Sequence, residues 1–401
     1  MVRIIRLPWQ FDFMNARRDN VAFMLGVLLA WIAQGSIWYT MPLLFSKVLS
    51  DNYFVVGLLI AMIPLVEVVV AIPFGYYADL GKIKYIAFDS MLALLAVPLL
   101  FALKVSSLNA AGVFLIGAGG IGIWIAATAH VSHYFGRKPK YIGYELAVMG
   151  VGWVTGPILG GFLLENFGGV MLAAAETLIL AIASFIFLKT MRYKIDVTYK
   201  TAPKLGRLFG MEHRAMRRLR LLAFPFLLLS FLFAFFSYTV WVAGPLLARI
   251  GDISIFLGGA VIGALEAPYV FGDALAAKFY VRGGVKRIVS VSVLLSFVFM
   301  LLSALLVGES FFALIILFGT ALLLGIADVA LFSALIDSDR RDTGEIAAFA
   351  TVSGGIGGAL AVVIVGATIA TYQLYVITAA FGILVAIFLL YLHLRFKDIA
   401  F

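Results

Sequence analysis

Along this chain apolar and polar positions do not alternate. Apolar residues run together for about 20 positions at a time, as in LLFALKVSSLNAAGVFLIGAGG at 99–120, and short polar or basic breaks separate the runs. A run of that length crosses about 30 Å of hydrocarbon as a helix. Backbone exposed to lipid has to satisfy its own hydrogen bonds, so helices rather than open strands are expected, and a transmembrane barrel would need the alternation that is missing. Twelve spans are predicted. Spans 1–6 fall near 21–46, 53–77, 85–103, 109–134, 141–164 and 169–189, and spans 7–12 near 221–248, 253–277, 286–307, 310–336, 344–370 and 372–394. The long polar break KTMRYKIDVTYKTAPKLGRLFGMEHRAMRRLR divides them six and six. The predicted fold is an all-α membrane protein with 12 transmembrane helices in two pseudo-symmetric six-helix bundles, at 21–189 and 221–394. The bundles are joined by a basic linker at 190–220 and flanked by tails at 1–20 and 395–401.

Composition strengthens this picture. The chain is 64% hydrophobic and 13% charged over 401 residues, with a mean hydropathy of +1.09, more apolar surface than a soluble core of this size hides. With no cysteine, disulfides, thiol nucleophiles and thiolate metal sites drop out. The net charge of +9 raises the question of a nucleic-acid partner, and the placement of the charges answers it. On the twelve-span layout, 27 of the 30 Lys and Arg fall on the side of the N-terminus, leaving Lys47, Lys104 and Arg249 on the other. That asymmetry is a topology signal, which predicts a multi-pass plasma-membrane protein with both termini cytosolic and no nucleic-acid partner. The first residues, MVRIIRLPWQFDFMNARRD, are read as a retained cytosolic tail, because the apolar run that follows is too long for a signal-peptide core.

The two sets of spans share landmarks at nearly constant offset. WYTMPLL at 38–44 matches WVAGPLL at 241–247, Glu67 matches Glu266, and Gly143 matches Gly344. Within span 5, GYELAVMGVGWVTGPILGG holds six glycines and a proline. Glycines three to five apart clear one helix face for a close neighbour, and a proline frees a carbonyl and bends the helix. The pattern Gly143, Gly152, Gly156, Pro157, Gly160, Gly161 resembles the span-5 motif of the major facilitator superfamily at every position, and a looser echo without the proline lies in span 11 at 353–366. A second stretch, GYYADLGKIK after span 2, is similar to that family's gate motif through Gly75, Asp79, Gly81 and Lys82, with Leu80 in place of a basic residue and one residue missing before Gly81. The resemblance implies a transporter that rocks about a midplane site, with close, bendable contacts where span 5 meets the other bundle. In the superfamily the span-5 motif goes with exporters that exchange substrate for protons, although residues 114–130 lack the span-4 arginine common in them.

Ionisable groups inside a membrane are costly and therefore candidates for function. Here they are nearly all acids: Glu67, Asp89, Glu176, Glu266, Asp273 and Asp328, with His130 and His133. A carboxylate with no cation beside it is suited to taking up and releasing a proton, and Glu67, Glu266, Asp273 and Asp328 are the proton-coupling candidates. The alternatives for the first two are hydrogen bonds to neighbouring helices or substrate contact. Asp273 stands two turns beyond Glu266 on the same face. Asp89 and Glu145 lie near the cytosolic boundary, where contacts to basic loops are expected, and Glu176 stays open. The histidines, one turn apart, lack a third ligand, so no metal and no cofactor is expected. Gln34, Trp38, Tyr39, Trp124, Tyr238 and Trp241 are candidates for a pocket that takes a flat or hydrophobic solute. Trp38 and Trp241 also fit an interfacial aromatic belt. The expected function is proton-coupled efflux of a neutral or cationic apolar small molecule by a monomer in the lipid bilayer. The alternatives are a proton symporter or exporter of sugars or other neutral solutes, or a lipid-handling transporter. A membrane enzyme would need a catalytic constellation, for which the histidine pair is the sole candidate, so no catalytic residue is assigned.

Overall fold

The computed structural model describes residues 12–48, 52–103, 106–134, 139–191, 223–250, 252–279, 285–305, 318–327, 329–330, 343–368 and 382–387. Asp328, residues 192–220 of the basic linker and the C-terminal tail lie outside them. Among the described residues, eight helices are long and apolar enough to cross a membrane. Span 1 is the helix Asp12–Val48, span 2 Tyr53–Asp79, span 3 Ile83–Ala102 and span 4 Ser106–Tyr134. Spans 5 and 6 are run together in Pro139–Thr190, bent at Gly168, whose φ of 75° and ψ of 175° are open to glycine but rarely to other residues. Span 7 is Ala223–Ile250, span 8 Ile255–Phe279, span 9 Val285–Leu305 and span 11 Thr343–Thr368. Span 10 is described over Phe318–Ala327 and span 12 over 382–387.

The helices hold their polar groups internally, as hydrocarbon requires. Thr40 donates to the Ser36 carbonyl at 2.9 Å, Ser132 to Thr128 at 2.8 Å and Ser184 to Leu180 at 2.6 Å. Each hydroxyl finds a carbonyl one turn back on its own helix. Asn52 opens span 2, its side chain accepting from the Val55 N–H at 3.2 Å. On span 2, Leu58, Met62, Leu65 and Val69 are exposed while Val56, Ile60 and Ile63 are buried. Both faces are apolar, one turned to lipid and the other to protein.

Span 5 has two different neighbours. Its Gly152, Gly156 and Gly160 face span 1: a Cβ at Gly156 would stand 2.6 Å from the Ile32 oxygen and 2.7 Å from the Gly35 Cα. The Pro157 carbonyl sits against Gly259, the Val154 carbonyl against Gly263, and Gly161 against Ile255, all on span 8 or its first residue. Span 11 repeats the arrangement. Gly357 and Gly358 face Phe231 and Tyr238 of span 7, while Gly355 meets the Pro64 carbonyl and a Cβ at Gly366 would stand 3.0 Å from the Gly57 Cα, both on span 2. The glycine motif, read from sequence as a contact between bundles, thus divides by face. Gly152, Gly156 and Gly160 pack within the N-terminal spans, and Pro157, Val154 and Gly161 reach across. A helix offers several faces, and spacing alone does not say which neighbour each one meets.

The stretch after span 2 is a helix terminus. Gly81 takes a φ of 82°, its N–H bonds the Ala78 carbonyl at 2.9 Å, and the Lys82 N–H bonds the Tyr77 carbonyl at 2.9 Å. This pair of bonds around a left-handed glycine is the Schellman cap. Asp79 is the last helical residue, Gly75 is buried, and the Lys82 ammonium lies 5.3 Å from the Tyr77 ring centroid.

Candidate functional site

Between the N-terminal and C-terminal spans lies a cavity of about 280 Å³, walled by spans 1, 2, 4, 5, 7, 8 and 11. Its lining is aromatic: Trp31, Trp38, Trp124, Trp153, Phe233, Tyr238, Trp241 and Tyr269 all contribute. Five of the chain's six tryptophans therefore meet here. Trp38 stands edge-on to Tyr238 at 5.2 Å between centroids, Trp153 to Trp241 at 4.5 Å, and Phe233 is stacked on Tyr269 at 4.7 Å. Such pairs fix ring orientation and leave broad apolar faces toward the space between them.

Two carboxylates interrupt the aromatic wall. Glu67 accepts a hydrogen bond from the Tyr238 hydroxyl at 2.9 Å, and Glu266 accepts one from the Trp241 Nε1–H at 2.7 Å. The two bonds differ in reach. Tyr238 and Glu67 belong to opposite sets of spans, whereas Trp241 and Glu266 share one. Among the described residues lining the cavity there is no Lys or Arg. Gln34, Ser230, Ser237 and Thr351 complete the polar lining.

Of the pocket candidates, Gln34, Trp38, Trp124, Tyr238 and Trp241 line the cavity and Tyr39 does not. One residue beyond Trp38, the Tyr39 ring points about 100° further round the helix, and its hydroxyl donates to the Ile255 carbonyl at 2.5 Å. Trp38 and Trp241 are 5% and 6% exposed, so an interfacial belt does not describe them. Asp273 lies on the span 8 helix, and its side chain, like that of His133, is outside the described residues. Trp153, Phe233 and Tyr269 were missed from sequence. Trp153 carried a signal, since a tryptophan beside Gly152 must leave the glycine face and turn toward another wall.

The remaining acids lie away from this cavity. Glu145, expected to meet basic loops, is fully buried and accepts from the Thr128 hydroxyl at 3.1 Å; the start of span 5 packs on span 4 rather than opening to water. Glu176 accepts from Ser36 at 2.6 Å, joining span 6 to span 1 behind the glycine face. Asp89 is exposed. At the far end of the bundle, where span 1 finishes, Glu165 lies just past span 5 and accepts from the Phe256 N–H at 2.6 Å and the Ser254 hydroxyl at 2.7 Å. A carboxylate from the N-terminal set thereby caps the first turn of span 8. The Phe256 N–H, and secondly the Ser254 hydroxyl, hold Glu165 below the ordinary carboxylate value.

The family model described as Major Facilitator Superfamily matches residues 23–362. No curated protein matches the chain by sequence. Among solved structures, the human organic anion transporter MFSD10 (TETRAN) superposes with a TM-score of 0.73 at 17% identity, over 94% of this chain and 98% of that one. The Escherichia coli fucose:proton symporter FucP gives 0.66 at 14% identity over 94% and 98%. A D-xylose-proton symporter gives 0.67 at 13% identity over 92% and 96%. At these identities the likeness is one of fold.

Proposed function

Because the chain belongs to the Major Facilitator Superfamily, and is thus a multi-pass membrane transporter of small molecules rather than an enzyme, we propose that it exports a neutral or cationic, apolar small molecule in exchange for protons by alternating access. The observation that carries this reading is the pair Glu67 and Glu266 inside an aromatic cavity with no Lys or Arg in its described lining. An ionised carboxylate there has no built-in counter-charge, so a proton or a substrate cation neutralises it, and the aromatic faces receive an apolar or cationic body. Proton coupling is named in two of the fold neighbours, the fucose and xylose symporters. The organic anions named for the human neighbour are not carried over, because anions in a low-dielectric cavity want a fixed positive charge.

Under the Lys and Arg distribution, the near end of the bundle, where span 1 begins, is cytosolic and the far end external, in the plasma membrane; the transport unit is a single chain. The two carriers have unequal roles. Glu67 bonds a tyrosine of the opposite set of spans, so protonation at Glu67 acts on a contact between the moving parts. Glu266 bonds within its own set and has Asp273 two turns toward the near end as a relay. Asp328 is the next candidate carrier.

Ethidium, a planar aromatic cation, and protons are followed together in proteoliposomes with an acidic lumen. Wild-type protein is expected to accumulate ethidium while protons leave. Glu67→Gln should abolish the coupling, and Glu266→Gln should slow proton exchange with the near-end compartment. Coupled transport with an unchanged pH profile in both variants would overturn the assignment.

A further inference from the structure

Gln34 lines the cavity with an amide donor that the fold leaves unpaired. Its side chain is 3% exposed, it lies on the cavity wall with Trp31 and Trp38, and its Nε2 is buried without a hydrogen-bond partner. Its Oε1 lies 2.9 Å from where a Cβ at Gly120 would stand, and Gly120 is itself part of the lining. Any larger residue at 120 would press on the amide. The two carboxylates of the cavity are already engaged, Glu67 by Tyr238 and Glu266 by Trp241. Buried polar side chains nearly always have partners, and an amide donor without one is destabilising. A leucine would fill a similar volume without that cost.

A group that costs stability and faces the transport cavity is placed to bind what enters it. We propose that Gln34 is a specificity-determining residue whose amide N–H is satisfied by the transported molecule. The substrate class is then an aromatic solute bearing a hydrogen-bond acceptor, such as a carbonyl oxygen, in addition to the body or cationic group that meets the rings and carboxylates. This rests on the reading of the cavity as the transport site. The selectivity follows from the orphan donor: a site built to hydrogen-bond an acceptor rejects an analogue lacking it, because the donor then stays unpaired in a dry pocket. The terminal amide turns about its last torsion, so the donor can swing toward the space over Gly120.

The test uses two probe pairs in which one CH2 is exchanged for a ketone, 4-ethylbenzyltrimethylammonium against its 4-acetyl analogue and ethylbenzene against acetophenone. Equilibrium dialysis measures binding to the purified protein in detergent. In at least one pair the ketone is expected to bind wild-type protein about tenfold more tightly, the worth of one hydrogen bond to an otherwise unpaired donor. In Gln34→Leu that advantage should shrink to within about twofold. The ligand-free melting temperature of Gln34→Leu should equal or exceed the wild-type value, since the fold does not use the amide. Ketone-selective binding in the neutral pair alone supports the acceptor site while removing the cationic option of the proposed function. The inference is overturned if the ketone advantage is absent from both pairs, if it survives in Gln34→Leu, if that variant melts lower without ligand, or if no probe binds.

Discussion

Adding a single methyl group to span 5 tests the division of its faces. At Gly156 the new Cβ would meet backbone only, the Ile32 oxygen at 2.6 Å and the Gly35 Cα and Ser36 nitrogen at 2.7 Å, where ordinary contact begins at 3.4 Å. Spans 1 and 5 must part by the difference between 2.6 and 3.4 Å, about 0.8 Å, and no side chain can rotate away to absorb it. Overpacking of this kind costs about 1–3 kcal/mol, while replacing glycine by alanine in a helix returns up to about 1 kcal/mol. Gly169→Ala is the matched control, because its Cβ would find nothing within 4 Å and only the helix-forming gain remains. Gly156→Ala is therefore expected to be less stable than Gly169→Ala by about 1–3 kcal/mol. Equilibrium unfolding in mixed detergent micelles with SDS, followed by tryptophan fluorescence, measures the difference. A gap under about 0.5 kcal/mol, the scatter expected of neutral surface changes, would refute the close packing of spans 1 and 5.

The opposite face of the same helix should affect transport state rather than stability alone. Gly259→Ala presses on the Pro157 carbonyl across the two sets of spans and should favour separation at the far end. Leu43 lines a second cavity at the far end, with Tyr39, Glu165 and Ile255; because the chain has no cysteine, maleimide labelling of a single Leu43→Cys reporter there reads this directly, and an unchanged rate would count against the crossing contact. Glu165→Ala should speed the same labelling at neutral pH by removing the cap on span 8. Since hydrogen bonds hold Glu165 below the ordinary value of 4.5, its ionised, clamping form is present above that pH and is lost only as pH falls through the lowered value. Labelling of the reporter, taken at each pH relative to a freely exposed cysteine because maleimide attacks only the thiolate, should then stay flat from neutral pH down to 4.5 and rise below it, and a rise starting above that point would contradict the clamp. Gly168→Ala, with open space but a φ of 75° and ψ of 175°, should cost about 1–3 kcal/mol through backbone strain alone.

Much of this architecture was legible in the chain because a bilayer imposes a local rule. A helix that crosses hydrocarbon needs about 20 apolar residues in a row, so the all-α class and the eight membrane-crossing helices among the described residues follow from one-dimensional reading. The span-5 glycines are likewise a spacing along a single helix. What spacing did not contain is the identity of the neighbour. In a span whose lipid-facing and protein-facing sides are both apolar, periodicity does not distinguish the buried face from the exposed one, so Trp38 and Tyr39, adjacent in sequence, were read as sharing a pocket that only Trp38 lines. The polar pairs depend on tertiary packing still more. Glu67 meets Tyr238 across 171 positions and Ser36 meets Glu176 across 140. Packing also sent Gly156 to span 1 and the Pro157 carbonyl to span 8. Each partner was decided by which helices came together, because a buried carboxylate takes whatever donor the assembled neighbours bring within reach.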